Sequence, residues 1–415
     1  MDDPIPSKFY SIPQGGNYAI MHKMNPDKIA IIGPGRLGTA FAYKWGRDGK
    51  EITIYYNDEA LCHEINTTHL NPKHLTEDLE RISGSMDRVP RLAPRVTATN
   101  DLDEVVQEHD FIVLAINMKG LPEFLNHLKP RIAKKKTKTC LISPIKSLAS
   151  VGRKNELITP SQMINTYLFD LHHRYDIICI GGPFFDVDLA VGNPVCVTVA
   201  GKRHIAGLVR REFFAQNRGE LSSYYNCDTV GVEACGALKN IVANIKGLAD
   251  CCDIGSSIPG TIFARSGVEI RALSKILGGH FFTFLGQAGV GDMYVTLSSN
   301  ASKNYRYGKY FYERYTGNTI ETHQRVIAGI DGTPEGPGTL KNVYRYLESK
   351  NMYSPIFRSA YRIFNEGGTR EDIREQIIKA CQFDRRSNEY IGPFSGMVYN
   401  LFPHIWYRRH IGWWG

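Results

Sequence analysis

A chain of 415 residues is too long for one ordinary core, and at roughly 100–200 residues per domain it implies two domains plus extensions. Hydrophobic residues at 42%, charged residues at 22% and 39 glycines exclude a fibre or a low-complexity chain and indicate many tight turns. A net charge of +8 suits anionic partners such as phosphorylated substrates and dinucleotides, and because the basic residues are spread out instead of forming one dense stripe with aromatics, nucleic-acid binding is not expected as the main function.

The chain begins MDDPIPSKFY, with neither the basic start nor the apolar run of a secretory signal, so a cytoplasmic location is expected. Residues 1–26 read as an N-terminal extension, either an ordered cap or an arm. Nine cysteines, an odd number without C-x-x-C spacing, fit a reducing compartment, with Cys140, Cys179 and Cys196 in apolar runs where a thiol acts as a small core residue. The thirteen histidines show no ligand pattern, so no metal is expected. No stretch reads as a transmembrane segment.

The first predicted strand is the apolar run Ile29 to Ile32, of the kind buried on both faces of a parallel sheet. It runs into Gly33-Pro34-Gly35-Arg36-Leu37-Gly38, which fits G-x-G-x-x-G and opens the helix-like TAFAYKW. Gly33 serves the tight turn, Gly35 lets backbone approach a pyrophosphate, and Gly38 lets helix and sheet pack closely. A glycine-rich turn is also an ordinary strand-to-helix connection. The flanking strand and helix and a second strand, Glu51-ITIYY, favour a dinucleotide. That strand ends at Asn57-Asp58, where an acidic side chain would meet the adenosine ribose; no Arg stands there for a 2′-phosphate, so NAD is expected over NADP. The plainer alternative is that Asn57 and Asp58 form a solvated turn. Further apolar runs at Phe111, Thr139, Asp176 and Val195 alternate with helix-like segments. Residues 27–225 are therefore expected to form an NAD-binding Rossmann domain, a doubly wound α/β sheet.

From Val230 strand alternation stops. Ala234, Leu238, Ile241 and Ile245 recur at helical spacing and predict a helix with one buried stripe, the start of an all-helical substrate domain over 226–381. Lys239 and Asn240 adjoin that stripe. Taken alone, a helical Lys is most often a solvated charge. The tail, 382–415, carries Trp406, Trp413 and Trp414 around Arg408-Arg409, a composition that suits cover for a domain or dimer seam, or a membrane interface.

Four motifs in linear order carry a resemblance: Ser143-PIKSLA, Gly231-VEACGALKN, Leu285-GQAGVGDMYVT and Ser302-KNYRYG. Together with the glycine-rich turn they resemble the NAD-dependent glycerol-3-phosphate dehydrogenase family over roughly residues 28–350. The resemblance implies interconversion of glycerol 3-phosphate and dihydroxyacetone phosphate, with NAD as cofactor, a small phosphorylated substrate and a homodimer. It implies that Lys239 is the general acid/base, with Asn240, Lys146 and Asp292 in the catalytic set. Thr296, Lys303, Asn304 and Arg265 are implied for substrate, and Asn57, Lys119, Lys146 and Glu335 join the glycine-rich turn for the cofactor.

The chemistry agrees with that assignment. Oxidising a secondary alcohol needs a base for the hydroxyl proton, and the reverse reaction needs the same group as acid. A free Lys, with a pKa of about 10.4, is a poor base near neutrality, and burial plus a second cation would bring it down. The chain also departs from the family: Lys303 replaces an Arg, Ser147 replaces a Gly, and Asn117-Met118-Lys119 and Ser256 to Pro259 depart from the usual stretches beside the site. Two alternatives stay open, a related two-domain dehydrogenase for another hydroxy acid or phosphorylated alcohol, and an inactive dinucleotide sensor.

Overall fold

The computed structural model describes residues 24–214, 221–330 and 332–382. The N-terminal extension up to residue 23 and the Trp-rich tail from 383 lie outside the described residues.

Strands β1 (Lys28–Ile32), β2 (Glu51–Tyr55), β3 (Val96–Thr99), β4 (Phe111–Leu114) and β5 (Thr139–Ser143) are followed by a hairpin, β6 (Ala149–Val151) and β7 (Glu156–Ile158). Then come β8 (Tyr175–Gly181), β9 (Val195–Gly201) and β10 (Leu221–Asn226). All but the hairpin join one eight-stranded sheet in the order β10-β9-β8-β5-β4-β1-β2-β3. Six strands are mutually parallel, whereas β9 pairs antiparallel to β8 and carries β10 with it, so the last two run the other way. Strand direction leaves no mark on an apolar run, which explains why the Val195 segment reads like the others.

Alternation along each strand feeds two cores, one on each face. Ile29, Ile31, Phe111 and Val113 pack with Phe41 and Trp45 of the helix Arg36–Arg47, while Ala30, Ile32, Ile112 and Leu114 pack with Leu121, Leu125, Leu128 and Ile132 of the helix Leu121–Lys134. That double burial is why these strands are continuous apolar runs.

After β10 the chain turns at Asp228, whose carboxylate accepts from Gly231 N, and enters the central helix Thr229–Ala249. The sequence predicts one buried stripe; the structure buries this helix on nearly every side, polar Glu233, Lys239, Asn240 and Asn244 included. It is the axle of an all-helical domain. The helix Lys303–Glu313 lies so close that a Cβ on Gly308 would stand 1.8 Å from Asn244 O. Among the described residues, no helix is long and apolar enough to cross a membrane. All nine cysteines are free thiols, with Cys140 and Cys179 buried and Cys196 half-buried.

The domains meet along the C-terminal ends of the parallel strands. The hairpin β6–β7 lies against the helix Gly336–Ser349: Ser147 Oγ is 3.0 Å from Thr339 Oγ1, and Asn342 Nδ2 donates to Leu148 O at 2.9 Å.

Candidate active site and coenzyme cleft

A cleft of about 530 Å³ opens at this junction, lined from the first domain by Gly33 to Leu37, Asn117, Lys146 and Phe184, and from the second by Lys239, Asn240, Thr296, Lys303, Asn304 and Glu335. A second hollow of about 930 Å³ shares Gly33, Tyr56, Ile116 and Asn117 with it and adds Asn57, Asn100, Asp101 and Asp103. The two hollows adjoin around the glycine-rich turn, at the end of the sheet where open α/β folds bind dinucleotides.

The turn fits such a ligand. Gly33 has φ +100°, where a side chain would be strained and a Cβ would come within 2.7 Å of Ala115 O. A Cβ on Gly38 would stand 2.2 Å from Gly33 O, so this glycine lets the helix fold back on its own turn. Gly35 is different: a Cβ there would meet nothing closer than Ala115 O at 4.0 Å. The protein itself imposes no need for glycine at 35, whereas a closely approaching pyrophosphate does. Gly35 is also the N-cap of Arg36–Arg47 and supplies no side-chain cap, so the first-turn amides beside the cleft take none from it. Arg36 does not project as a lone cation. Its Nε donates to Asp186 Oδ2 at 2.7 Å and its Nη1 pairs with Asp78, tying three helices together beside the turn.

At the end of β2 Asp58 is taken up by local structure. Its carboxylate accepts from Leu61 N at 3.2 Å as the N-cap of Glu59–Thr68, and it pairs with Lys73 at 2.7 Å, while its neighbour Asn57 lines the second hollow.

A charged cluster at this junction is built around Asp292, which is fully buried at the start of the helix Asp292–Ser298, just after a π-helical turn at Gln287–Gly291. Its Oδ1 accepts from Lys239 Nζ and its Oδ2 from Lys146 Nζ, the latter at 3.0 Å. Lys239 Nζ also donates to Thr296 Oγ1 at 2.6 Å, and that hydroxyl in turn donates to Asp292 O. Lys146 is held from the first domain by Gly182 O at 3.2 Å and lies 4.6 Å over the ring of Phe184. Asn240 Nδ2 donates to Lys146 O at 3.2 Å and to Glu335 Oε2 at 3.1 Å. Burial brings the Lys239 ammonium down to about 8; Lys146 pushes the same way and Asp292 opposes. Burial raises the Glu335 carboxyl, against Lys146, Lys239 and Lys303.

Lys303 and Asn304 begin the helix Lys303–Glu313 at the rim of the same cleft. Asn304 Oδ1 accepts from Gly336 N at 2.9 Å, so this side chain also anchors the helix Gly336–Ser349 that follows Glu335.

The structure thus gathers Lys146, Lys239, Asn240, Asp292, Thr296, Lys303, Asn304 and Glu335. It does not bring Arg265 to them. Arg265 stands on the helix Ile258–Ile276 with Glu269 and Cys381 as its charged and titratable neighbours, and neither it nor residues 256–259 line the cleft. Lys119 is exposed on the loop after β4 and lines neither hollow; Asn117 does, its Oδ1 accepting from Gly120 N at 2.8 Å to close the turn. Sequence reasoning misses Phe184 and Asp186. The Gly181-Gly182-Pro183 turn at the end of β8 is the one local signal that this loop faces the cleft.

Family models match both halves of the chain: the N-terminus of NAD-dependent glycerol-3-phosphate dehydrogenase over residues 28–206 and its C-terminus over residues 228–375. The chain belongs to the NAD-dependent glycerol-3-phosphate dehydrogenase family. As a member it is an NAD-dependent oxidoreductase. It is 27% identical over 360 residues to glycerol-3-phosphate dehydrogenase [NAD(P)+] of Staphylococcus aureus, covering 87% of this chain and 99% of the relative. It is 27% identical over 361 residues to the enzyme so named from Limosilactobacillus reuteri, covering 87% and 98%. Two solved dehydrogenases share the fold: that of Coxiella burnetii (TM-score 0.72, 21% identity, 85% of this chain and 98% of that one) and that of Saccharomyces cerevisiae (TM-score 0.66, 20% identity, 84% and 99%).

Proposed function

We propose that this dehydrogenase interconverts sn-glycerol 3-phosphate and dihydroxyacetone phosphate, with Lys239 moving the proton. The observation that carries this reading is the arrangement of Lys239 and Lys146 on the two oxygens of buried Asp292, inside a cleft that also holds Lys303 and the glycine-rich turn. NAD, when bound, accepts or supplies the hydride.

Lys239 has the right acidity for both directions. Lowered to about 8, it holds its proton at neutral pH as the acid for the forming alkoxide and releases it readily as the base for the alcohol. Lys146, 3.0 Å from Asp292, sits beside that centre and stabilises negative charge growing on the substrate oxygen. Asp292 fixes both ammonium groups and balances one of their charges. Thr296 fixes the Lys239 Nζ with a second hydrogen bond, and Lys239 lines the cleft. Lys303, at the rim, meets the substrate phosphate as a point charge.

The test is oxidation of NADH by the purified protein with dihydroxyacetone phosphate, run beside unphosphorylated dihydroxyacetone. Turnover that needs the phosphate establishes the reading. Silence with NADH bound would assign the chain to another substrate.

A further inference from the structure

Glu233 lies on the central helix six positions before Lys239, fully buried, and none of the chemistry above uses it. Its carboxylate faces the other domain. Oε1 accepts from Ser161 N at 2.9 Å and from Cys179 Sγ at 3.1 Å, and Oε2 accepts from Ser161 Oγ at 2.5 Å. Ser161 belongs to the first turn of the helix Pro160–Tyr167, and Cys179 lies near the end of β8. The contact around it is tight: a Cβ on Gly181 would stand 2.7 Å from Val232 Cγ1, one residue before Glu233. A second tie, Gln162 Nε2 to Leu277 O at 2.9 Å, fastens the same helix to the helical domain.

Two short paths lead from this carboxylate to the two lysines. One runs along the central helix to Lys239. The other runs up β8 from Cys179 to Gly182, whose carbonyl accepts from Lys146, and to Phe184 beneath that ammonium. We propose that Glu233 is a positioning residue: by binding Ser161 and Cys179 across the domain junction, it sets the spacing of Lys239 against Lys146. The inference rests on the proton role assigned to Lys239. Burial pushes the Glu233 carboxyl up to about 7 against the bonds from Ser161, Thr159 and Cys179, so an acceptor is retained here despite a cost that an apolar residue would avoid.

Glu233→Ala, Glu233→Gln, Ser161→Ala and Lys239→Ala are compared for kcat, KM, NADH affinity and hydrogen exchange of the full-length enzyme. Misplacement of a reacting group by about 1 Å costs on the order of 100-fold, so Glu233→Ala is expected to lower kcat by roughly 10–100-fold with NADH affinity within about twofold of wild type. Glu233→Gln, which keeps an acceptor for Ser161 N and gains a donor for Ser161 Oγ, is expected to recover most of that loss. Exchange in the segment 160–167 is expected to rise in Glu233→Ala. If Glu233→Ala does not fold, Ser161→Ala decides: a several-fold fall in kcat at constant NADH affinity supports the pin, and wild-type kcat overturns it. Wild-type kcat in Glu233→Ala, or equal losses in the Ala and Gln variants, also overturns it. Turnover surviving in Lys239→Ala would sink the proton role instead, and the pin would then stand or fall on the exchange at 160–167 alone.

Discussion

The Lys146 ammonium lies 3.0 Å from a carboxylate oxygen of Asp292, although the two residues belong to different domains and stand 146 positions apart. The other oxygen of that carboxylate takes Lys239. One buried anion therefore holds together two like charges that would otherwise separate.

Asp292→Asn removes the anion and keeps the shape. Two cations are left facing each other with little water, so Lys239 loses the influence that opposes its fall below about 8. The expected outcome is a kcat lower by roughly 100–1,000-fold, the scale of losing one preorganised group that stabilises a reacting centre. NADH affinity should hold, because the glycine-rich turn is untouched. Steady-state kinetics beside fluorescence titration checks both, and a kcat within threefold of wild type would exclude Asp292 from the site chemistry.

With Lys239 as the proposed acid/base, the sign of the pH response follows from its lowered value. In the reducing direction the protonated amine is needed, so kcat should be level below about pH 8 and fall above it. In the oxidising direction kcat should rise through the same pH. The matching stability effect runs upward: between about 8 folded and about 10.4 unfolded, the unfolded chain binds the extra proton, so this group's contribution to stability grows with pH across that window. Opposed pH profiles for the two directions are the check; parallel profiles would assign the limb to another group.

How much of this was legible in the sequence depended on distance along the chain. The glycine-rich turn, the helical spacing around Lys239 and the apolar strands are local patterns and read as such, because turn geometry and the helix period act over a few residues. The burial of the Lys239 helix on nearly every side comes instead from distant elements and exceeds the one stripe its spacing shows. The ion pairs of Arg36 to Asp78 and Asp186, 42 and 150 positions away, leave no local mark. Neither does Phe184 under Lys146. Arg265 shows the opposite case, since the resemblance implies it for substrate while its place on the helix Ile258–Ile276 sets it among Glu269 and Cys381, away from the cleft lining.

Lys303 gives a test of the phosphate subsite. Loss of one hydrogen bond to a charged group costs about 1.5–3 kcal/mol, so Lys303→Ala should raise the KM for dihydroxyacetone phosphate by roughly 10–150-fold with little change in NADH affinity. Lys303→Arg supplies a planar fork in place of a point charge and should hold KM at or below the wild-type value. An unchanged KM in the alanine variant would move the phosphate elsewhere in the cleft.

The helix crossing at Gly308 predicts a stability cost that reaches the site. Ala at 308 would have to displace Asn244 O from 1.8 Å, and backbone cannot yield as a flexible side chain does. Overpacking of this kind costs about 1–3 kcal/mol or more. A fall in Tm of several degrees is expected by calorimetry, and a Tm equal to wild type would show that the two helices have slack.

Gly35 and Gly38 separate what the ligand requires from what the fold requires. Ala at 38 would place its methyl 2.2 Å from Gly33 O, a clash within one turn of backbone, so this variant should lose stability before binding can be measured. Ala at 35 meets only Ala115 O at 4.0 Å, an ordinary contact, and the glycine there has φ −64°, which alanine adopts freely. Gly35→Ala should therefore fold with a wild-type Tm, or a slightly higher one because the unfolded chain loses freedom. Its NADH affinity should nevertheless fall by on the order of 10-fold or more, since the methyl occupies the space that lets a pyrophosphate approach the backbone. Calorimetry and fluorescence titration on the two variants decide the matter. Wild-type NADH affinity in Gly35→Ala would mean that the pyrophosphate does not bind over this turn, and the coenzyme would have to be placed elsewhere in the cleft.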